Sequence, residues 1–83
     1  MEIYVGNLSF DTREDEIRQK FEGFGKVDSV KIIIDPSSGR SRGFAFVDMP
    51  NVNEGQAAIK SLNGQIMNKR PLTVNEAHSR KRW

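Results

Sequence analysis

The chain lacks cysteine and has a single histidine, His78, among its 83 residues. Without cysteine there is neither a disulfide framework nor a thiolate metal site, and one histidine cannot hold a metal ion alone. We therefore expect no metal and no other cofactor. A chain of this length forms one domain, which a single modest hydrophobic core can stabilise without covalent or metal links.

Long apolar runs are also absent. No stretch approaches membrane-spanning length, and the first residues lack the basic, apolar and small-residue succession of a secretory signal. From these absences we expect a cytoplasmic protein that makes no contact with membranes.

An excess of positive charge is missing from most of the chain. The whole sequence has 13 basic and 11 acidic residues and a net charge of +2, but three of the basic residues are consecutive at Arg80–Arg82. Residues 1–79 therefore carry 10 basic and 11 acidic side chains, a net charge of −1. We expect one domain over residues 1–77, followed by a flexible basic extension over residues 78–83.

Apolar periodicity and turn residues predict four strands and two helices in the order strand, helix, strand, strand, helix, strand. Asp11 or Thr12 is expected to cap the first helix. The apolar stripe of this helix is expected to hold Ile17, Phe21 and Phe24. The predicted elements cover about residues 2–6, 13–23, 27–35, 42–49, 53–62 and 72–77.

Alternation along each strand separates a core face from an outer face. In the second strand, Val30, Ile32 and Ile34 are expected to face the core. Lys31 then lies on the outer face, where it is available to a ligand. In the first strand, Tyr4 lies between two aliphatic residues and is also expected on the outer face.

The most informative stretch is the octamer Arg42–Met49, with the sequence RGFAFVDM. Phe44 and Phe46 share one face of the predicted strand and Val47 lies on the other. An antiparallel sheet usually buries one face, so if Val47 faces the core, two aromatic rings are left exposed. Such rings next to Arg42 suit a nucleotide, because its base stacks on a flat ring and its phosphate binds a cation.

The order of elements is that of a split βαβ fold of the α+β class (βαββαβ, ferredoxin-like). It predicts a four-stranded antiparallel sheet with two helices on one face. Right-handed crossovers place the first and third strands side by side at the centre. Tyr4 is then a neighbour of Phe44, with Phe46 two residues along, so three rings share the face opposite the helices.

Two segments resemble the ribonucleoprotein motifs of RNA recognition motif domains. Arg42–Val47 match the first six positions of the octamer motif, basic-Gly-aromatic-Gly/Ala-Phe-Val-x-aromatic, and Ile3–Leu8 resemble the companion hexamer. Met49 departs from the aromatic residue usual at the last position, but it lies on the core face. The likeness extends over residues 2–77 and is nearest to small single-domain bacterial proteins of the cyanobacterial kind.

The resemblance implies that single-stranded RNA lies across the sheet. Tyr4 and Phe44 would each stack on a base, Phe46 would pack against sugars, and Arg42 would contact a phosphate. The remaining contacts are expected from Lys31, Arg40, Asn75 and Ala77.

The same residues suggest alternatives to RNA binding. Single-stranded DNA could replace RNA, and a protein segment could cover the sheet or the helical face. A protein partner would be favoured if the outer face lacked aromatic or basic residues, and it lacks neither. A small acylphosphatase-like hydrolase would need an arginine in a glycine-rich phosphate loop after the first strand. The segment at that place, Asn7–Phe10, contains neither arginine nor glycine. No acid pair, nucleophile with a base, or metal cluster is found, so we expect no enzyme. A monomer is expected.

Deletion of residues 80–83 tests the basic extension. We expect weaker RNA binding at low salt and a flatter salt dependence, because each neutralised phosphate adds about 0.7 to the salt slope on single strands. Titrations at two salt concentrations measure this slope. Removal of Trp83 alone is the control, since it leaves the three charges in place. An unchanged slope after the full deletion would show that the extension takes no part in binding.

Overall fold

The computed structural model describes residues 1–77, and the predicted basic extension, residues 78–83, lies outside the described residues. Its elements, in chain order, are β1 (Glu2–Gly6), α1 (Glu14–Glu22), β2 (Ser29–Ile34), β3 (Ser41–Asp48), α2 (Val52–Leu62), β4 (Ile66–Met67), β5 (Arg70–Pro71) and β6 (Thr73–Glu76).

Four of these strands form one antiparallel sheet in the order β2, β3, β1, β6. The first and third strands therefore lie at the centre, as predicted. α1 contacts β2 and α2 contacts β6, so the helices cover the two halves of one face. The predicted α+β class and split βαβ topology are confirmed.

The core lies between this face of the sheet and the helices. Along β1 and β3, buried aliphatic residues alternate with half-exposed ones, as the pattern predicts. Because alternate side chains point to opposite faces, the burial of one set in the core places the other set on the outer face. Fully buried core residues include Ile3, Val5, Ile17, Phe21, Ala45, Val47, Met49, Ala58, Leu62 and Val74.

β2 departs from the predicted alternation at its far end. Ile32 is buried as expected, but Ile34 is 49% exposed, so the prediction that it faces the core is wrong. Ile32 pairs with Ala45 whereas Ile34 pairs with Ser41, which shifts the register between the two isoleucines. Such an irregularity redirects the side chains that follow it.

α1 begins with a different cap from the predicted one. Arg13 occupies the N-cap position, and its backbone N–H donates to Oε1 of Glu16 at 2.9 Å. The expected caps were Asp11 and Thr12. The Thr12 hydroxyl instead accepts a hydrogen bond from Nδ2 of Asn68 at 2.9 Å, so a tertiary contact uses the oxygen that capping would need.

The apolar stripe of α1 is confirmed for Ile17 and Phe21, which are buried. Phe24 lies beyond the end of the helix, which is flanked by Gly23, and packs against the core from there. Neither helix within residues 1–77 is long and apolar enough to cross a membrane.

α2 begins one residue before the predicted start. Asn51 caps it, since its side chain accepts a hydrogen bond from the backbone N–H of Glu54 at 3.0 Å. Gly55, a poor helix former, is buried in the first turns. A Cβ at this position would lie 2.8 Å from Cγ of Met1, so a larger residue here would displace the Met1 side chain.

A short hairpin, formed by β4 and β5, was not predicted. Its turn residues, Asn68 and Lys69, have φ angles of 51° and 70°. Two-residue hairpin turns with two positive φ angles usually carry Asn-Gly or Asp-Gly, and this turn has lysine at the second position. The sequence therefore lacks the usual signal for the hairpin.

Asn63→Ala tests a hydrogen bond that joins the end of α2 to β6. Oδ1 of Asn63 accepts from the backbone N–H of Val74 at 3.0 Å in a partly buried setting. We expect the substitution to lower the free energy of unfolding by about 1–3 kcal/mol, because the N–H would lose its partner. Urea denaturation measures the change.

Asn53→Ala is the matched control, since it removes the same atoms from an exposed position of α2. It should change stability by no more than about 0.5 kcal/mol. Equal changes in the two variants would contradict a stabilising role for the Asn63 bond.

Candidate functional site

Three aromatic rings form a cluster on the outer face of the sheet, and we call Tyr4, Phe44 and Phe46 the ring cluster. The ring centroids are 5.8 Å apart for Tyr4 and Phe44, and 6.0 Å apart for each of the other two pairs. All three side chains are half-buried. The structure therefore brings together the three aromatic residues that the sequence predicts on one surface.

The register within the ring cluster differs in detail from the expected one. Tyr4 lies directly opposite Phe46, while Phe44 is its diagonal neighbour. Diagonal neighbours across an antiparallel pair are still within reach of aromatic side chains. The Tyr4 ring consequently contacts both phenylalanines, whereas the predicted neighbour was Phe44, with Phe46 two residues further along.

The Tyr4 ring lies over the backbone of Gly6. A Cβ on Gly6 would be 2.7 Å from Cε2 and Cζ of the ring, which is too close for any real side chain. Gly6 and Tyr4 share the outer face because they are two residues apart on one strand. The absence of a side chain at Gly6 is thus what lets the ring lie along the sheet.

A polar residue flanks the ring cluster on each side. Lys31 of β2 pairs with Phe46, and Asn75 of β6 pairs with Tyr4. Lys31, Phe46, Tyr4 and Asn75 therefore form one row across all four strands, which spans about 14 Å at the usual strand spacing. Lys31 and Asn75 are both exposed, so their polar groups lie beside the rings where a ligand can reach them.

The sheet is acidic at one end of the ring cluster. Glu2 and Asp48 are register partners on the same outer face. Ala77, a predicted site residue, lies beside them, and its backbone N–H donates to the carbonyl oxygen of Glu2 at 2.9 Å. Its N–H is therefore already used within the protein, which leaves other groups of Ala77 for any contact with a ligand.

The opposite end of the ring cluster is basic. Arg42, at the start of β3, and Arg40, in the loop before it, are both exposed. They line a cleft of about 350 Å³ together with Asp35, Ser38, Ser41 and Phe10. The two predicted arginine contacts thus lie at the end of the sheet and not among the rings, so a bound anion would be held there.

Sequence reasoning missed one exposed aromatic residue in this region. Phe10 follows β1 and is 66% exposed. Phe10 stands between Ser9 and Asp11, in the loop between the predicted first strand and first helix, and this position outside both elements is the signal that could have revealed it.

A metal centre has no candidate ligands in the part of the chain that the structure describes. Within residues 1–77, no three His, Cys, Asp or Glu side chains come together as possible metal ligands.

Comparison with protein families gives one match over most of the chain. The model of a family described as "RNA recognition motif" matches residues 3–73. The chain is 44% identical over 75 residues to the "RNA-binding protein CP29B, chloroplastic" of Arabidopsis thaliana, which covers 90% of this chain and 26% of that protein. It is 44% identical over 80 residues to the "28 kDa ribonucleoprotein, chloroplastic" of Nicotiana sylvestris, which covers 96% of this chain and 29% of the other. The chain thus spans between a quarter and a third of the length of these two relatives.

The fold of this chain is also similar to that of solved structures of RNA-binding proteins. "Crystal Structure of RNA Binding Protein PG1" matches with a TM-score of 0.90 and 43% identity, covering 93% of each chain. "Structure of Rna15 RRM with bound RNA (GU)" matches with a TM-score of 0.81 and 29% identity, covering 92% of this chain and 81% of the other. The family resemblance drawn from the octamer and the hexamer is confirmed.

Two expectations need correction. The expected cytoplasmic location is wrong, because the relatives in Arabidopsis thaliana, Nicotiana sylvestris and Zea mays are chloroplastic. The expectation rested on the first residues of the chain, but these form β1, whose burial in the core is the same in any compartment. These relatives are also plant proteins, so they do not single out the bacterial kind.

Gly6→Ala is expected to displace the Tyr4 ring from the ring cluster, because a methyl group at Gly6 would occupy the space of the ring. Nuclear Overhauser effects between the ring protons of Tyr4 and Phe44 should weaken or disappear. Gly23→Ala is the control, since a Cβ there meets only a backbone oxygen at 3.6 Å. Unchanged ring contacts in Gly6→Ala would contradict the requirement for glycine.

Proposed function

The chain belongs to the RNA recognition motif family, and from this premise we propose that it binds single-stranded RNA on the outer face of its sheet, without catalysis. The observation that carries the proposal is the ring cluster. Its three rings lie on the face opposite the helices, outside a core that is already filled by aliphatic residues, α1 and α2. Half-exposed rings grouped in this way offer π surfaces to unpaired bases.

The orientations of the rings favour different roles for them. The planes of Tyr4 and Phe44 differ by 32°, so two neighbouring bases can stack on these rings with a modest tilt between them. Phe46 stands at 64° to Tyr4 and at 89° to Phe44. A base stacked on either of the other rings would be steeply inclined to the plane of Phe46 and could not stack on it as well, so Phe46 suits contact with a sugar better than a third stack.

Polar residues around the ring cluster supply the other contacts. Arg40 and Arg42 bind phosphates at the basic end of the sheet, whereas the other end carries the carboxylates of Glu2 and Asp48, of which Asp48 lies 3.9 Å from the Met1 ammonium group. The RNA backbone is accordingly held at the arginine end.

Contacts with base edges come from Lys31 and Asn75, which lie at the two ends of the row across the four strands. Lys31 offers only hydrogen-bond donors, while the Asn75 amide offers a donor and an acceptor and can therefore distinguish base edges. Ala77 contributes through its backbone carbonyl.

The RNA-binding domain comprises residues 1–77 and works as a monomer. Residues 78–83 add positive charge to the domain.

The names of the relatives support RNA as the ligand and a role without catalysis. They include an RNA-binding protein and a ribonucleoprotein, and the Rna15 domain is described with bound RNA. Single-stranded DNA shares the bases and phosphates but lacks the 2′-hydroxyl. No contact of the described residues favours DNA over RNA, so it serves as the comparison ligand in the test.

The double variant Tyr4→Ala with Phe44→Ala tests the stacking proposal. Each stacked base contributes about 1–3 kcal/mol by alanine substitution, so we expect affinity to fall at least several-fold while the circular dichroism spectrum stays native. Fluorescence anisotropy with an RNA selected in vitro from a random pool measures the affinity, and the same sequence as DNA is titrated in parallel.

Val52→Ala is the control, because Val52 is 51% exposed but lies on α2, away from the outer face of the sheet. It should leave affinity unchanged. A folded double variant with the affinity of the original protein would disprove stacking on the ring cluster.

A further inference from the structure

We propose that Asn63 is a latent modification site, at which spontaneous deamidation through the backbone nitrogen of Gly64 takes place only when β6 separates from the end of α2. Asn63 is the only asparagine of the sequence that a glycine follows. The inference goes beyond the proposed RNA binding and does not depend on it.

The pair Asn63–Gly64 has the chemistry of deamidation. The nitrogen of Gly64 forms a bond to Cγ of Asn63, the bond between Cγ and Nδ2 breaks, and Nδ2 leaves as ammonia with the proton of the Gly64 N–H. Water then opens the cyclic imide at either of its two carbonyl groups, which gives aspartate or isoaspartate. Glycine makes the attack easiest because no Cβ shields its nitrogen. Both residues are exposed, so water reaches them.

The fold itself explains why these two residues follow each other. Gly64 has a φ angle of 88°, in the left-handed region that favours glycine. Oδ1 of Asn63 accepts the hydrogen bond from the backbone N–H of Val74 at 3.0 Å. The turn thus needs an acceptor followed by a glycine, and the reactivity of the pair comes with this requirement.

The folded turn holds the reacting atoms apart. Ring closure needs the Gly64 nitrogen to eclipse Cβ of Asn63 about the Cα–C bond, but the ψ angle of 121° at Asn63 rotates the nitrogen away from that position. The Gly64 N–H donates to the carbonyl oxygen of Leu72 at 2.8 Å, which opposes the loss of the proton that attack requires. The hydrogen bond from Val74 polarises the Asn63 amide and would by itself favour attack, but it also holds this amide against β6.

Separation of β6 removes these restraints together. Val74 lies within β6 and Leu72 directly precedes it. Among the described residues, β6 is a strand of four residues at one edge of the sheet, where it pairs with β1. Elements with few contacts open at a lower free energy than the whole protein. The turn therefore becomes reactive in a partly open state.

Deamidation leaves a lasting change at the end of α2. Aspartate keeps an oxygen that accepts from the Val74 N–H, whereas isoaspartate inserts one extra carbon into the main chain between residues 63 and 64. With the longer main chain, the turn no longer matches the spacing of its two partners, Leu72 and Val74. Isoaspartate therefore weakens the docking of β6, the strand that carries Asn75.

The first test uses the original protein in mildly alkaline buffer, either folded or unfolded in urea. Mass spectrometry of its peptides measures deamidation at each asparagine. Asn63 should react fastest in urea and at least about 10-fold more slowly in the folded protein. Asn53, an exposed asparagine of α2 that Glu54 follows, is the internal control and should react slowly in both conditions.

Val74→Ala tests the role of β6. Val74 is completely buried, so a smaller side chain weakens the docking of β6 but keeps the backbone N–H and the Asn–Gly pair. Deamidation of Asn63 in the folded variant should become about 5-fold faster or more. Val47→Ala is the matched control, since it removes the same atoms from an equally buried position of the central strand β3. It should accelerate the reaction less, and circular dichroism checks that both variants are folded.

The inference is overturned if Asn63 reacts as fast in the folded protein as in urea, if another asparagine reacts faster in urea, or if Val74→Ala accelerates the reaction no more than Val47→Ala. The comparison of the folded and the unfolded original protein needs no variant, so it decides the matter even if a variant does not fold. The isoaspartate form, isolated by chromatography, should unfold at a lower urea concentration than Asn63→Asp. Equal midpoints would contradict the weaker docking of β6.

Discussion

The structure depends on the two-sided packing of β3 at the centre of the sheet. Ala45 and Val47 are completely buried against the helices. Because side chains alternate along the strand, Phe44 and Phe46 therefore lie on the outer face. A slip of one residue in the register would exchange the two sets, which would bury the rings and expose the aliphatic residues. The hydrophobic core thus fixes the position of the ring cluster. The same register brings Tyr4 of the neighbouring central strand against both phenylalanines.

The sequence predicts the parts of this arrangement that follow from local periodicity and chain chirality. Alternation in the octamer assigns Phe44 and Phe46 to one face, and the right-handed crossover rule brings Tyr4 beside them. Both predictions are confirmed, because each depends on backbone geometry that any sequence of this pattern shares. The positions of Lys31 and Asn75 beside the rings follow from the same topology, since every strand contributes one outward residue to each row.

The features that could not be predicted depend on contacts between distant residues. The exposure of Ile34 results from a register shift between two strands, and alternation within β2 carries no sign of it. The capping role of Thr12 is lost because its hydroxyl bonds to Asn68, 56 residues away in the chain. The position of the Tyr4 ring over Gly6 depends on side-chain direction, which the strand pattern does not give. The compartment was misjudged for another reason, since the first residues are required for packing and reveal nothing about location.

The resting position of Tyr4 affects the entropy of ligand binding. The ring lies on the bare backbone of Gly6 and touches Phe44 and Phe46, so it has given up its rotamer freedom by the time the protein has folded. The entropy lost in ordering the ring is therefore part of the free energy of folding, and a base binds to a surface that is already preorganised. The sheet should keep one shape with and without its ligand, and the ordering that accompanies binding should take place in the RNA. A residue without a side chain thereby contributes to affinity, although it touches no nucleotide itself.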